Sequence, residues 1–295
     1  MTRFSWMEAP AVIPEEQIER TETADIVIVG AGHAGTCAAR GAAERGASVI
    51  VLERQPEEEQ WVLGMGEIGH INSRWQREHG VDPVDIDEFV NDWQLRTNNR
   101  SDYRLIRTYA EQCGDCFDWF IEPLSREERD GIHPMLTPPS PHMPKALNGF
   151  RAWPGTPNMG AALMTRAVKE NQRIAKEHSA RLFFGTRACQ LTKENEMVTG
   201  VMAQLPDGGY IRFRAKKGVI LAAGDYSKNP DMCRALLAEA DDLTDGTSRA
   251  TAGTAAASAW ASGQADGWSR APMPPWAGTI PFRALISSAP LQPCG

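Results

Sequence analysis

Between Ala24 and Arg54 the chain reads as a strand, a glycine-rich turn, a helix and a second strand, and few folds accommodate that order. Ile26-Val27-Ile28-Val29 is a short continuous apolar run, the pattern of a strand buried on both faces. It ends in Gly30-Ala31-Gly32-His33-Ala34-Gly35, after which the Ala-rich segment from Ala34 to Arg45 reads as a helix closed by Gly46. Ser48 to Leu52 is then a second buried strand. A G-x-G-x-x-G by itself is a weak signal, because glycine turns are common; here a strand precedes it and a helix opens on it. In such a turn Gly30 permits the tight bend, Gly32 lets backbone approach a pyrophosphate, and Gly35 lets helix and strand pack closely. The helix N-terminus offers N–H groups and the positive end of a dipole to phosphates. Glu53 ends the second strand, eighteen residues beyond Gly35, where a carboxylate accepts from ribose hydroxyls. The expected site therefore holds a dinucleotide on Gly30, Gly32, His33, Ala34, Gly35, Glu53 and Arg54. The alternative is a structural βαβ turn followed by an exposed Glu53. An acidic residue at 53 disfavours a 2′-phosphate and hence NADP.

Beyond this unit the composition changes more than once. Residues 1–21 form a lead-in bearing Pro and Glu, expected to wrap the surface. Residues 84–96, 102–121 and 160–178 carry helical spacing, and the Pro-rich stretch 123–157 reads as a long irregular excursion. Leu182 to Phe184, Ala188 to Thr192, Val198 to Gln204 and Tyr210 to Ala215 are short strands separated by turn signals, which predicts a β-meander. Gly218 to Gly224 then returns to a buried parallel strand. The fold expected is α/β, a Rossmann-like domain over 22–245 with a parallel sheet and a β-meander.

Bulk properties exclude some classes. A net charge of −7 with no basic patch argues against a nucleic-acid partner. No apolar run reaches the ~18 residues of a membrane span. Residues 1–20 lack the apolar core of a secretory signal. Six scattered cysteines in 295 residues do not suggest a disulfide framework, so a reducing, cytoplasmic setting is expected.

The glycine turn does not choose between FAD and NAD, but three segments taken together do. Val219-Ile220-Leu221-Ala222-Ala223-Gly224 resembles the A-T-G strand of two-dinucleotide-fold flavoproteins. Its central residue is Ala223, and Asp225 follows, both departures from that motif. Gly64-Met65-Gly66-Glu67-Ile68-Gly69-His70-Ile71-Asn72-Ser73 resembles their second, flavin-facing glycine loop, and Asn91 to Glu122 resembles the helical region after it. In that order the three resemble the fumarate reductase/succinate dehydrogenase flavoprotein family, which also holds 3-ketosteroid dehydrogenases and urocanate reductases; the resemblance covers about residues 22–245. It implies an FAD-dependent oxidoreductase exchanging hydride between flavin N5 and a carbon–carbon bond activated by a carbonyl. It implies a small-molecule substrate and admits an external electron donor. It also implies that Gly69, Ile71 and Asn72 lie near the isoalloxazine ring, that Ala188 presents backbone to adenine, and that Ala223 and Gly224 close over the cofactor. Where some members carry a histidine bonded to the flavin this chain has Leu63, so non-covalent FAD is expected. An NAD-linked dehydrogenase is the remaining oxidoreductase reading.

Other chemistry-bearing residues read more plainly. Cys113-Gly-Asp-Cys116 is a lone C-x-x-C inside a helical pattern, expected to be two packed thiols and not a metal or redox site. No metal site and no catalytic residue is assigned. His33 is expected to line the cofactor pocket without acid–base work, and His70 is the histidine placed best to meet a substrate. His133 and His142 fall in the Pro-rich excursion with no role assigned. The tryptophans Trp6, Trp61, Trp75, Trp93 and Trp119 show no cage-like clustering and are expected to pack.

Residues 246–295 differ from everything before them. Only Arg249, Asp266, Arg270 and Arg283 are charged there, and about two thirds are Ala, Ser, Thr, Gly or Pro. Such a stretch buries too little apolar area to offset its ordering entropy. A sharper reading uses the genetic code. Read one base earlier, Gly267 to Pro275 permits Val-Glu-Pro-Gly-Ala-His-Ala-Ala, and Ala252 to Ala259 permits Gly-Asp-Gly, one free residue, then Arg-Leu-Gly. The resembled family places a Gly-Asp-Gly and then a Glu-Pro after its A-T-G strand. The expectation is a frame slip between Asp245 and Ala252 and a capping domain, source of the family's substrate-polarising arginine and histidine, absent from this chain. A catalytically inactive FAD-binding fragment is accordingly the alternative function.

Overall fold

The computed structural model describes residues 10–60, 62, 68–135, 156–195, 197–224, 229 and 232. Two compact units form, one from residues 1–63 with 172–295, the other from 64–171. The range read as one FAD-binding domain thus carries its second unit as an insertion.

The first unit is built on a six-stranded sheet. Its strands are β1 (Ile18–Val29), β2 (Val49–Leu52), β5 (Arg181–Phe183), β6 (Arg187–Glu194), β7 (Met197–Gln204) and β8 (Tyr210–Leu221), in the order β5-β2-β1-β8-β7-β6. β1 pairs in parallel with β2 and β8, and β2 pairs in parallel with β5. β6, β7 and β8 are antiparallel. β2 and the second half of β1 are interior and apolar, and Val27, Ile28, Ile50 and Leu52 are at most 1% exposed. That is the environment their unbroken apolar runs demand.

Three details depart from the expectation. The segment Leu182 to Phe184 does not belong to the meander: β5 continues the parallel sheet beside β2, and the meander has three strands. The last two segments, 210–215 and 218–224, form one strand, β8, which ends at Leu221 and is interrupted by an irregularity in its pairing with β1 between Ala215 and Gly218. The exposed Lys216-Lys217 at that irregularity breaks the apolar pattern, and Lys217 Nζ lies 3.7 Å from Asp25. Finally, β1 starts at Ile18, inside the supposed lead-in, because its polar first half pairs with the first half of β8.

Only Phe184, Gly185 and Thr186 join β5 to β6, although these strands stand at opposite ends of the strand order. The sheet therefore curls, and Leu191, Val201, Ala203, Ile211 and Phe213 of the meander pack with Val27, Val29, Ile50 and Leu52 in one core. The other face, with Ile28, Val49 and Val51, is covered by α1 (His33–Glu44) through Ala39 and Ala43 and by Ala175 of α6 (Gly160–Glu177). Alanines at this spacing let the helix lie close to the strands.

The second unit is helical. α2 (Arg74–Glu78), α3 (Ile86–Arg96), α4 (Tyr103–Ile121) and α5 (Arg126–Asp130) precede a two-stranded pairing of β3 (His133–Met135) with β4 (Thr156–Asn158). Asp85 caps α3, Asp102 caps α4, and Ser73 and Ser125 form capping boxes on α2 and α5. Ile71, Val84, Phe89, Val90, Ala110 and Cys113 make its core. Among the described residues no helix is long and apolar enough to cross a membrane.

Candidate dinucleotide-binding site

The glycine turn sits between the C-terminal end of β1 and the N-terminus of α1, and each glycine has its own reason to be one. Gly30 adopts φ +97°, and a Cβ there would stand 2.4 Å from the carbonyl oxygen of Ala222. A Cβ on Gly35 would stand 1.8 Å from the carbonyl oxygen of Gly30. These two glycines let strand, helix and the end of β8 converge. Gly32 is different: its φ is −71°, and a Cβ there would meet no atom within 4 Å. It caps α1 without a side-chain hydrogen bond. The helix thus opens on a backbone cradle with its positive end facing outward, the geometry that suits a pyrophosphate.

Glu53 is buried at the end of β2, and its carboxylate is tied to the turn. Oε2 accepts from Ala31 N–H at 2.9 Å, and Oε1 accepts from Gln55 N–H at 2.9 Å. Two accepted bonds leave acceptor capacity on a carboxylate for ribose hydroxyls. The exposed-Glu53 alternative does not hold. Arg54 next to it is exposed. The Glu53 backbone donates to Phe183 O at 2.8 Å and accepts from Thr186 N–H at 2.8 Å, which brings the start of β6, with half-buried Ala188, to this end of β2. Ala222 N–H donates to Val29 O at 2.8 Å, so Ala223 and Gly224 (φ +86°) follow directly beside the turn. His33 and Ala34 occupy the first turn of α1, half-buried.

Beneath the turn lies a polar cluster that the sequence reading missed. Ala31 O accepts from Thr36 Oγ1 at 3.0 Å, Gln60 Nε2 at 2.8 Å and Gln172 Nε2 at 3.0 Å. Gln172 Nε2 also lies 3.2 Å from both Thr36 Oγ1 and Gln60 Oε1, which share its second proton. All four residues are buried. No pattern announces this: the residues lie 5, 29 and 141 positions from Ala31.

In the second unit, Gly64 to Glu67 lie outside the described residues, as does Leu63. The remainder of that loop is pinned by its own neighbours. Asn72 adopts φ +62°, and its side chain donates to Val84 O and accepts from Val84 N–H, each at 2.8 Å. Ile71 N–H donates to Cys113 Sγ at 3.4 Å, and the Tyr109 hydroxyl donates to Gly69 O. Gly69 is exposed, Asn72 half-buried and Ile71 buried.

His70, the histidine that the sequence singled out as best placed to meet a substrate, is buried and packed. Its ring stacks on Phe117 at 4.0 Å, Nδ1 lies 3.2 Å from Ile68 O, and Nε2 lies 2.8 Å from Ser73 Oγ. Burial pushes its pKa down to about 4, so the ring is neutral near pH 7. Cys113 is likewise a packed thiol raised by burial, and Cys116 is exposed; both are free. Trp75 stacks on His79, and Trp93 packs against Phe89 and Tyr109. Trp6, Trp61, His142, Asp225 and residues 246–295 lie outside the described residues. Among those described, no group of three His, Cys, Asp or Glu side chains is placed to hold a metal ion.

A parallel βαβ unit with a glycine cradle and a buried acidic residue at the end of the second strand defines a dinucleotide-binding α/β protein. The FAD binding domain family model matches residues 25–278, and the chain belongs to that family. FAD is therefore the dinucleotide of the family to which this chain belongs. The chain is 26% identical over 215 residues to a probable fumarate reductase of Shewanella frigidimarina, covering 72% of this chain and 34% of that protein. It is 27% identical over 220 residues to a vinyl phenol reductase of Lactiplantibacillus plantarum, covering 74% and 41%. It is 24% identical over 248 residues to a urocanate reductase of Eggerthella lenta, covering 79% and 36%. The chain thus spans roughly a third to two fifths of these relatives' length. Among solved structures, its fold is similar to a 3-ketosteroid-Δ4-(5α)-dehydrogenase of Rhodococcus jostii, with TM-score 0.59, 22% identity, and 78% and 50% of the two chains covered. A flavocytochrome c3 fumarate reductase gives TM-score 0.59 at 21% identity, covering 82% and 41%.

Proposed function

We propose that this chain is the FAD-binding part of an oxidoreductase of the fumarate-reductase or 3-ketosteroid-dehydrogenase type. The observation that carries the reading is the cradle at Gly32, open at the mouth of α1 and tied through Ala31 to the buried Glu53. Its relatives' names point to one substrate class: fumarate, urocanate and vinyl phenol all bear a conjugated carbon–carbon double bond. When bound, FAD supplies hydride exchange with such a bond. The chain's own part is to bind and orient. Gly30, Gly32 and Gly35, with the first-turn amides at His33 and Ala34, hold the pyrophosphate. Glu53 takes the adenosine ribose with Arg54 beside it, and Ala188 presents backbone to the adenine. Ala223 and Gly224 close over the cofactor, while Gly69, Ile71 and Asn72 meet the isoalloxazine ring. FAD is held without a covalent bond. The substrate is a small molecule, an external donor supplies the electrons, and the protein works in the cytoplasm.

Purified protein tests this directly. A flavin absorption spectrum is expected, with FAD released into the supernatant on acid precipitation. Reduced anaerobically, the bound flavin is expected to be reoxidised by an enoate or a conjugated steroid ketone. Nicotinamide binding without flavin would overturn the reading. Bound FAD that no such acceptor reoxidises would remove the oxidoreductase activity and leave the inactive FAD-binding fragment.

A further inference from the structure

The buried cluster beneath the glycine turn has a directional consequence. A trans peptide points its C=O and the following N–H in opposite directions, and no cis peptide occurs among the described residues. Three donors, Thr36 Oγ1, Gln60 Nε2 and Gln172 Nε2, hold the Ala31 carbonyl inward. The same peptide's N–H, that of Gly32, is thereby turned away from the cluster, and the space over Gly32 is open, since a Cβ there would meet no atom within 4 Å. The preceding peptide is fixed as well, since Ala31 N–H donates to Glu53. Both peptide planes of Gly30-Ala31-Gly32 are therefore set by side chains, and not by the glycines, whose backbones are the freest in the chain.

We propose that Gln172 and Gln60 are positioning residues for FAD: they fix the Ala31–Gly32 peptide so that the Gly32 N–H is presented to the pyrophosphate before the cofactor arrives. Glutamine suits the task. An amide N–H₂ donates twice without carrying charge, so it can sit 6–7% exposed at no ionic desolvation cost. Gln60 accepts from Gln172 and donates to Ala31 O, and each amide thus holds the other in the orientation the carbonyl needs. Without these donors a buried carbonyl is under-satisfied, and the glycine-flanked peptide is free to rotate. Affinity then falls, because ordering of the turn is charged against binding.

The inference rests on the reading that this turn holds the pyrophosphate, and wild-type ADP binding tests that separately. Gln172→Met keeps the side-chain length and removes the donors. It is expected to weaken ADP and FAD by a common factor of about ten, equivalent to about 1.4 kcal/mol, measured well below the melting temperature, which the lost buried hydrogen bonds lower. The Gly32 amide proton is expected to shift downfield on ADP addition in the wild type and to shift less in the variant at equal saturation. If Gln172→Met does not fold, Gln60→Met is read the same way. A folded variant that binds ADP within twofold of the wild type, or a Gly32 amide that shifts equally in both, overturns the proposal. So does a Gln172→Met that unfolds while Gln60→Met binds normally.

Discussion

At the residue scale the three glycines of one motif have opposite sensitivities, and that separates folding from binding. Gly35→Ala puts a methyl 1.8 Å from a backbone oxygen that no side-chain rotation relieves. Overpacking of that kind costs about 1–3 kcal/mol or more, so a clear loss in urea midpoint is expected together with loss of FAD. Gly32→Ala meets no atom within 4 Å at a φ that alanine adopts freely. Removing a glycine where the backbone is compatible stabilises by about 0.4–1 kcal/mol. Thermal melting of Gly32→Ala should therefore match or exceed the wild type while its FAD affinity falls, since the methyl fills the cradle. His70 makes a prediction of its own. Its folded pKa of about 4 lies below the ordinary 6.5, so between these values the unfolded chain binds the extra proton. Stability from this group is complete above pH 6.5 and is lost progressively as pH falls toward 4, by roughly 3 kcal/mol if the whole shift is expressed. His70→Gln should flatten the pH dependence of the melting temperature over that interval; an unchanged slope would show that other groups set it.

At the scale of elements, helix α4 is the part of the second unit on which the Gly69–Ser73 loop is built. Asp118 accepts from the Arg74 and Trp75 N–H groups at 2.7 and 3.1 Å, capping α2 from another helix. Gly114, in the middle of α4, faces the loop so closely that a Cβ would lie 2.6 Å from Ile71 O and 2.7 Å from Ser73 N. Two effects oppose each other in Gly114→Ala. Helix propensity favours alanine by about 1 kcal/mol, while the clash is with backbone on the loop side and costs more. The net expectation is destabilisation, read as a lower urea midpoint; a gain would mean that the loop yields. The strand elements show what local pattern can reveal. β1, α1 and β2 were legible because each carries its own periodicity and the glycines punctuate them. β5 was legible as a strand but not as a neighbour of β2, since pairing partners are not encoded in a three-residue run. β8 read as two strands because Lys216-Lys217 interrupts its apolar pattern at a pairing irregularity. Gln60 and Gln172 were not legible at all: a glutamine buried by distant partners looks in sequence like one on a surface.

At the scale of the whole molecule, the residues assigned to FAD divide between two units. Gly30 to Gly35, Glu53, Ala188, Ala223 and Gly224 belong to the first, and Gly69, Ile71 and Asn72 to the second. The motif glycines and Glu53 stand on geometry as well as resemblance. The loop residues stand on resemblance, and Asn72 has its side chain already engaged with Val84. Amide hydrogen exchange with two ligands separates these cases, because ADP carries the pyrophosphate and adenosine of FAD but no isoalloxazine. ADP is expected to protect amides at 30–36 and beside Glu53 in the first unit and to leave 68–73 unchanged. FAD is expected to protect the same first-unit amides and, in addition, those at 68–73. Saturation at a hundred times the dissociation constant adds about 2.7 kcal/mol to the stability of whatever unit the ligand binds, which is ample for detection in slowly exchanging amides. Protection by FAD confined to the first unit would remove Gly69, Ile71 and Asn72 from the flavin site while leaving the cradle assignment standing. Protection of 68–73 by ADP alone would show that this loop responds to the first unit's ordering, and that its resemblance to a flavin-facing loop has another cause.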